Sequence, residues 1–215
     1  MEIIPVIDLM RGQVVHARHG HRETYRPIDT PLCRSSDPFA VIDAFLALHP
    51  FSSLYIADLD ALTGNVPQSG LIAALAVAHP NLHIWVDSGW PTTEGTWTAV
   101  VGTESIDRAA WLRLADKRQD WILSVDFFGG SLKGPPEILD EVESWPDRII
   151  VMTLARVGSF AGPDWSQLQS IRQLAAERKI IAAGGVRDRA DVERLEAMGI
   201  AGALVASALH EGRLF

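Results

Sequence analysis

Eight short apolar runs recur along the chain, at residues 3–7, 54–57, 82–86, 98–101, 121–125, 148–152, 180–183 and 202–205. They are apolar on both faces, the pattern of strands buried within a parallel sheet. Segments of helical period lie between most of them, at residues 39–46, 71–78, 107–117, 136–143, 165–178 and 188–198. Asp37-Pro38 opens the first as an N-cap followed by proline at the first helical position, and Gly199 stops the last. Alternating strands and helices predict a parallel sheet with crossover helices. Eight strands favour a closed (β/α)8 barrel over an open, doubly wound sheet. The barrel is expected to be trimmed at two places. Residues 92–97 are too few for a proper third helix, and residues 207–215 allow at most about two helical turns after the eighth strand.

No linker or low-complexity stretch divides the chain, so residues 1–215 are read as a single domain. One long connection, residues 10–36, follows the first strand, and residues 14–18 within it suit a small hairpin strand. On a barrel this loop lies on the catalytic face and can serve as a lid. The two halves echo each other. Asp87-Ser88-Gly89 precedes Gly102-Thr103-Glu104-Ser105, and Ala183-Gly184-Gly185 precedes Ala206-Ser207-Ala208. Such an echo suits a twofold-repeated half-barrel with two phosphate sites.

The apolar share of 47% gives ample material for a core, and 19 Lys and Arg against 27 Asp and Glu leave a net charge of −8. An acidic surface argues against nucleic-acid and anionic-membrane partners, which need a basic field. A small phosphorylated ligand stays open, because backbone amides bind anions whatever the net charge. With Cys33 as the one cysteine, no intrachain disulfide can form. A reducing, cytoplasmic setting is the natural reading, supported by the lack of a signal-peptide pattern or membrane-length apolar run.

The candidate chemistry sits at strand ends. Gly184 and Gly185 end the seventh run just before a helix, and Ala206 and Ser207 follow the eighth. Glycines let amides approach a phosphate, and the loops after strands seven and eight are the usual phosphate site of such barrels. Gly89, Gly102 and Thr103 are the candidate second cradle, although Asp87 would place a negative charge beside a dianion there. Asp8 and Asp126 end the first and fifth apolar runs, on opposite sides of one barrel mouth, and suit an acid/base pair. Asp58 and Asp60 read as loop-capping groups. His16, His19 and His21 read as exposed loop histidines, so no metal site is assigned. Trp90, Trp97 and Trp165 lie near strand ends and read as core or rim packing.

Taken together, these residues resemble the HisA/HisF family of histidine-biosynthesis barrels, with this chain a divergent HisA-like member. The resemblance is carried by Ile4-Pro5-Val6-Ile7-Asp8-Leu9, Tyr55-Ile56-Ala57-Asp58-Leu59-Asp60-Ala61 and Gly158-Ser159-Phe160-Ala161-Gly162-Pro163-Asp164. It is completed by Ala183-Gly184-Gly185-Val186 with Val205-Ala206-Ser207-Ala208-Leu209. It implies a cofactor-free, single-domain enzyme of isomerase or lyase type on a bis-phosphorylated, aminoaldose-like substrate. Three alternatives remain open: a genuine ProFAR isomerase, a HisA-like protein of tetrahydromethanopterin-linked C1 metabolism, and a non-catalytic phosphate-ligand binder. The resemblance also implies a catalytic general-acid position at the end of the sixth strand, normally an aspartate, which Thr153 fills here. Its hydroxyl is far too weak an acid for that step, so turnover of the standard isomerase substrate is expected to be poor, and any activity is expected to depend on both Asp8 and Asp126.

Overall fold

In the computed structural model, which describes residues 1–17, 24–115 and 120–215, all eight apolar runs are strands. They are β1 (Glu2–Met10), β3 (Ser53–Asp58), β4 (His83–Asp87), β5 (Thr98–Gly102), β6 (Trp121–Phe128), β8 (Arg148–Thr153), β9 (Lys179–Ala183) and β10 (Gly202–Val205). Each pairs in parallel with the next, and β10 pairs back onto β1 with Glu2 opposite Gly202 and Pro5 opposite Val205. The sheet therefore closes, as the strand count predicts, into a (β/α)8 barrel. Two short strands branch from the ring. β2 (Gln13–Val15) folds back antiparallel on β1, and β7 (Ser131–Leu132) does the same on β6. The first is the hairpin expected in the long loop. His19 and His21 lie outside the described residues.

Side chains alternate along the strands, so the same ladders supply two cores. Ile4, Tyr55, Trp85, Val100, Ile122, Ile150, Ile181 and Leu204 fill the inside of the barrel. Ile7, Leu54, Ile56, Val101, Leu123, Ile149 and Ile180 point outward and pack beneath the helices. Those helices are α1 (Pro38–Leu48), α3 (Ser69–Ala78), α4 (Arg108–Ala115), α5 (Trp165–Leu174) and α6 (Arg189–Ala197). They bury Phe45, Ile72, Leu75, Trp111, Leu168, Ile171 and Leu195 on that face. Burying such a side chain is worth roughly 1.5–3 kcal/mol, so this double layer is the main source of stability. Two short turns complete the set, α2 (Leu59–Leu62) and α7 (Ser207–His210).

The trimming is where it was expected: residues 88–97 hold no helix, and only α7 follows β10. Three expectations need correction. Residues 136–143 form no α-helix but two 3-10 turns, Pro136–Leu139 and Val142–Ser144. Amides there bond three residues back, Asp140 to the Glu137 carbonyl and Trp145 to that of Val142, while Trp145 Nε1 donates to the Ile138 carbonyl at 2.8 Å. α5 stops at Leu174, because Ala176 lies at φ 51°, in the left-handed region that a continuing helix cannot use. Asp37 occupies the N-cap position of α1 without a capping side-chain hydrogen bond, and the proline at N1 alone sets that start.

Candidate active site

The parity that puts Ile4 and Val6 inside the barrel carries on to Asp8 in β1, and the parity of Ile122 carries on to Ser124 and Asp126 in β6. In the closed ring β1 and β6 are four strands apart and face each other. Asp8 and Asp126 line one cavity at the C-terminal ends of the strands, together with Gly184, Gly185, Ala206 and Ser207. Tyr55 and Asp87 share its wall, from β3 and β4.

Asp126 is the most constrained group there. It is 3% exposed. Ser124 Oγ donates to its Oδ1 at 2.6 Å, and the Glu104 amide donates to its Oδ2 at 3.1 Å. Burial pushes its carboxyl up to about 8. The hydrogen bonds from Ser124 and the Glu104 amide pull the other way, while the nearby Asp87 and Glu104 carboxylates push it further up. Near neutral pH this group is therefore mainly protonated, and it holds a transferable proton where a serine, a threonine or a free aspartate would not. Gly102, beside it in β5, is required by space: a methyl there would lie 2.7 Å from Asp126 Oδ2. Asp8 is only partly buried and faces the cavity from the other side.

Tyr55 donates its hydroxyl to Asp87 Oδ2 at 3.1 Å. Burial raises its pKa well above the usual phenol value, and the charges of Asp87, Asp126 and Asp8 add to the rise. The phenol stays protonated and acts as a fixed hydrogen-bond donor inside the mouth. In the sequence Tyr55 stands only as part of the second-strand motif, with no role assigned to it.

At the opposite end, Gly184 and Gly185 have φ of 97° and 87°. A side chain on Gly184 would meet the Thr153 carbonyl at 2.7 Å, and one on Gly185 would strike the Gly162 carbonyl. Glycine is thus demanded twice over at each, and the backbone is left bare toward the cavity. Gly184, Gly185, Ala206 and Ser207 lie beyond the last ladder pairs of β9 and β10 and line the cavity together. Two neighbouring arginines are engaged elsewhere. Arg156 Nη1 donates to the carbonyls of Gly162 and Pro163, and Arg187 forks onto Asp191 at 2.7 and 2.8 Å. Among the described residues, no lysine or arginine lines the cavity.

The candidate second cradle is arranged differently. Gly89, Gly102 and Thr103 are not part of the cavity wall. The Gly89 amide donates to Asp87 Oδ1 at 3.1 Å, and Thr103 Oγ1, fully buried, accepts from the Asp126 amide at 2.9 Å. Ser105 Oγ donates to the Gly102 carbonyl at 2.8 Å.

Thr153 is 5% exposed and lies outside the cavity lining, to which Met152 and Leu154 belong instead. Asp58 is buried and caps α2, accepting from the amides of Ala61 at 3.1 Å and Gln68 at 2.7 Å. Asp60 accepts the Arg11 amide at 2.7 Å. Trp90, Trp97 and Trp165 pack against the outer core. Two residues missed in the sequence also face the cavity, Tyr25 and His210, and so does His16, which is half-buried there rather than the exposed loop histidine expected, because the hairpin folds back over the mouth. His210 sits on the turn begun by Ser207, with Nδ1 3.2 Å from Thr30 Oγ1. Burial pulls its pKa down to about 4, with His16 adding to the fall, so the ring is neutral near pH 7. Among the described residues, no group of three or more His, Cys, Asp or Glu is placed to hold a metal ion, and no helix is long and apolar enough to cross a membrane.

An uncharacterized protein of Methanocaldococcus jannaschii is 28% identical over 227 residues, covering 100% of this chain and 95% of the relative. An isomerase of Thermococcus kodakarensis, named for an imidazole-4-carboxamide substrate with two 5-phosphoribosyl groups, is 26% identical over 230 residues, covering 99% and 93%. Phosphoribosyl isomerase A of Streptomyces coelicolor is 26% identical over 237 residues, covering 98% and 93%. The model of the histidine biosynthesis protein family matches residues 2–214, and the chain belongs to that family.

Proposed function

We propose that this protein is an isomerase- or lyase-type enzyme acting on a phosphorylated, aminoaldose-like metabolite. The observation that carries the reading is the placement of Asp8 and Asp126, from opposite strands, in one cavity with the bare glycine backbone before α6. Relatives named as isomerases of phosphoribosyl compounds support the substrate class.

The phosphate lies against the amides of Gly184, Gly185, Ala206 and Ser207. Asp126, held protonated by burial, gives its proton to the ring oxygen of the aminoaldose. The C1–O bond breaks and its electron pair stays on oxygen, while the nitrogen lone pair forms the C1=N iminium. Asp8 then removes the C2 proton, leaving an enaminol that tautomerises to the amino-ketose. Acid and base work from opposite faces of the ligand, which is what two carboxylates across a barrel mouth allow. The Tyr55 hydroxyl, fixed on Asp87, orients the sugar hydroxyls.

The test is solvent exchange. An N-substituted ribosylamine 5-phosphate incubated with the protein in D2O should gain deuterium at C2 or rearrange, as read by proton NMR. Asp8→Asn and Asp126→Asn should each suppress it. Absence of exchange and of rearrangement across a panel of such phosphates, with the protein folded and phosphate bound, would remove the catalytic reading.

A further inference from the structure

The cavity has two unlike ends. One is the bare backbone of Gly184, Gly185 and Ser207. At the other, the segments that echo them by the internal repeat bring in carboxylates next to the echoing positions: Asp87, two residues before Gly89, and Glu104, one after Thr103, line the wall there, beside Asp126. The amides that would cradle a second anion at this end are already spent on the protein's own acids. Gly89 N–H points at Asp87 Oδ1, and Glu104 N–H points at Asp126 Oδ2, both at 3.1 Å. An amide has one hydrogen, so neither is left for a ligand phosphate. A second phosphate would have to pull Asp87 away from both the Gly89 amide and the Tyr55 hydroxyl. It would also meet like charge, with no lysine or arginine among the described cavity residues to offset it.

We infer that the ligand carries a single phosphate, held at the Gly185–Ser207 end, and that Asp87 is the specificity-determining residue that excludes a second phosphate at the other. The end of the ligand that lies by Asp87 is a neutral or amine-bearing, donor-rich group. This rests on the phosphate reading above and narrows it. It parts this chain from relatives whose names specify two phosphoribosyl groups.

Binding of ribulose 5-phosphate and ribulose 1,5-bisphosphate, compared by calorimetry, tests it. The wild-type protein should prefer the monophosphate by at least tenfold, about 1.4 kcal/mol. Asp87→Asn, which keeps the side-chain shape and removes the charge, should shrink that preference to about threefold or less. Glu104→Gln, on an exposed side chain that leaves the fold intact, should shrink it by a smaller factor. Equal or tighter binding of the bisphosphate by the wild type overturns the inference, and so does a preference unchanged in both variants. Binding of neither compound overturns the phosphate reading beneath it, a distinct failure.

Discussion

Ser124 and Asp126 are neighbours on the inner face of β6, and the serine hydroxyl donates to the aspartate Oδ1 at 2.6 Å. A hydrogen bond that short favours the ionised carboxylate, yet burial outweighs it and the pKa stands near 8. The barrel interior thus keeps a carboxylic acid protonated where solution would ionise it.

That balance makes stability depend on pH. The folded pKa of about 8 is above the ordinary carboxylate value of 3.8. The protonated group's contribution is therefore fully present below pH 4 and is lost as pH rises toward 8. Each pH unit across that window weakens the wild type by about 1.4 kcal/mol for a fully retained proton. Asp126→Asn should lack this dependence. Its Tm should gain on the wild type steadily from pH 5 to pH 8 and hold a constant difference above, as read by thermal denaturation. Parallel curves for the two proteins would contradict the protonated state.

Catalysis should follow the same proton. Turnover of an aminoaldose phosphate should fall above about pH 8, as Asp126 loses its proton. Asp126→Asn and Asp8→Asn should each cost ~10²–10⁴ in kcat, with monophosphate affinity nearly unchanged, because neither touches the glycine cradle. Thr153→Val should cost far less, since Thr153 lies outside the cavity lining. Steady-state kinetics of the three variants distinguish these outcomes.

Gly185→Val should weaken binding of any phosphate monoester by more than tenfold, about 1.4 kcal/mol. The new side chain strikes the Gly162 carbonyl and screens the amides. Ser207→Ala, which removes one hydroxyl and leaves the backbone in place, should cost less. Calorimetric titration of both variants is the check, with circular dichroism to confirm the fold.

Gly102→Ala should disturb the acid rather than the cradle. Its methyl would sit 2.7 Å from Asp126 Oδ2 and 3.7 Å from Asp87 Oδ2. Overpacking of this kind costs roughly 1–3 kcal/mol. The carboxyl must shift off the Glu104 amide, so kcat should fall by more than tenfold while monophosphate affinity holds. A fall in affinity with kcat unchanged would place the glycine's role elsewhere.

The sequence by itself determined the strands, their order and the barrel. Runs apolar on both faces can be buried only between an inner and an outer core, and eight of them in alternation with helices close a ring. It also marked the strand ends Asp8, Asp126, Gly184, Gly185 and Ser207, because polar or glycine residues after a fully apolar run must face a mouth or a turn. The 3-10 turns that replace the helix expected over residues 136–143 were not legible, since apolar spacing over so few residues does not separate a 3-10 turn from an α-helical one. The inner wall was not legible either. Tyr55 and Thr153 look alike as polar residues in apolar strands, but strand parity turns one into the barrel and places the other outside the cavity lining. The sequence already set Asp87 against a phosphate at one of the two echoing half-sites, but only the tertiary structure decided how the two differ: whether an amide faces the protein's own carboxylate depends on where Asp87 and Asp126 fall when distant strands are brought side by side.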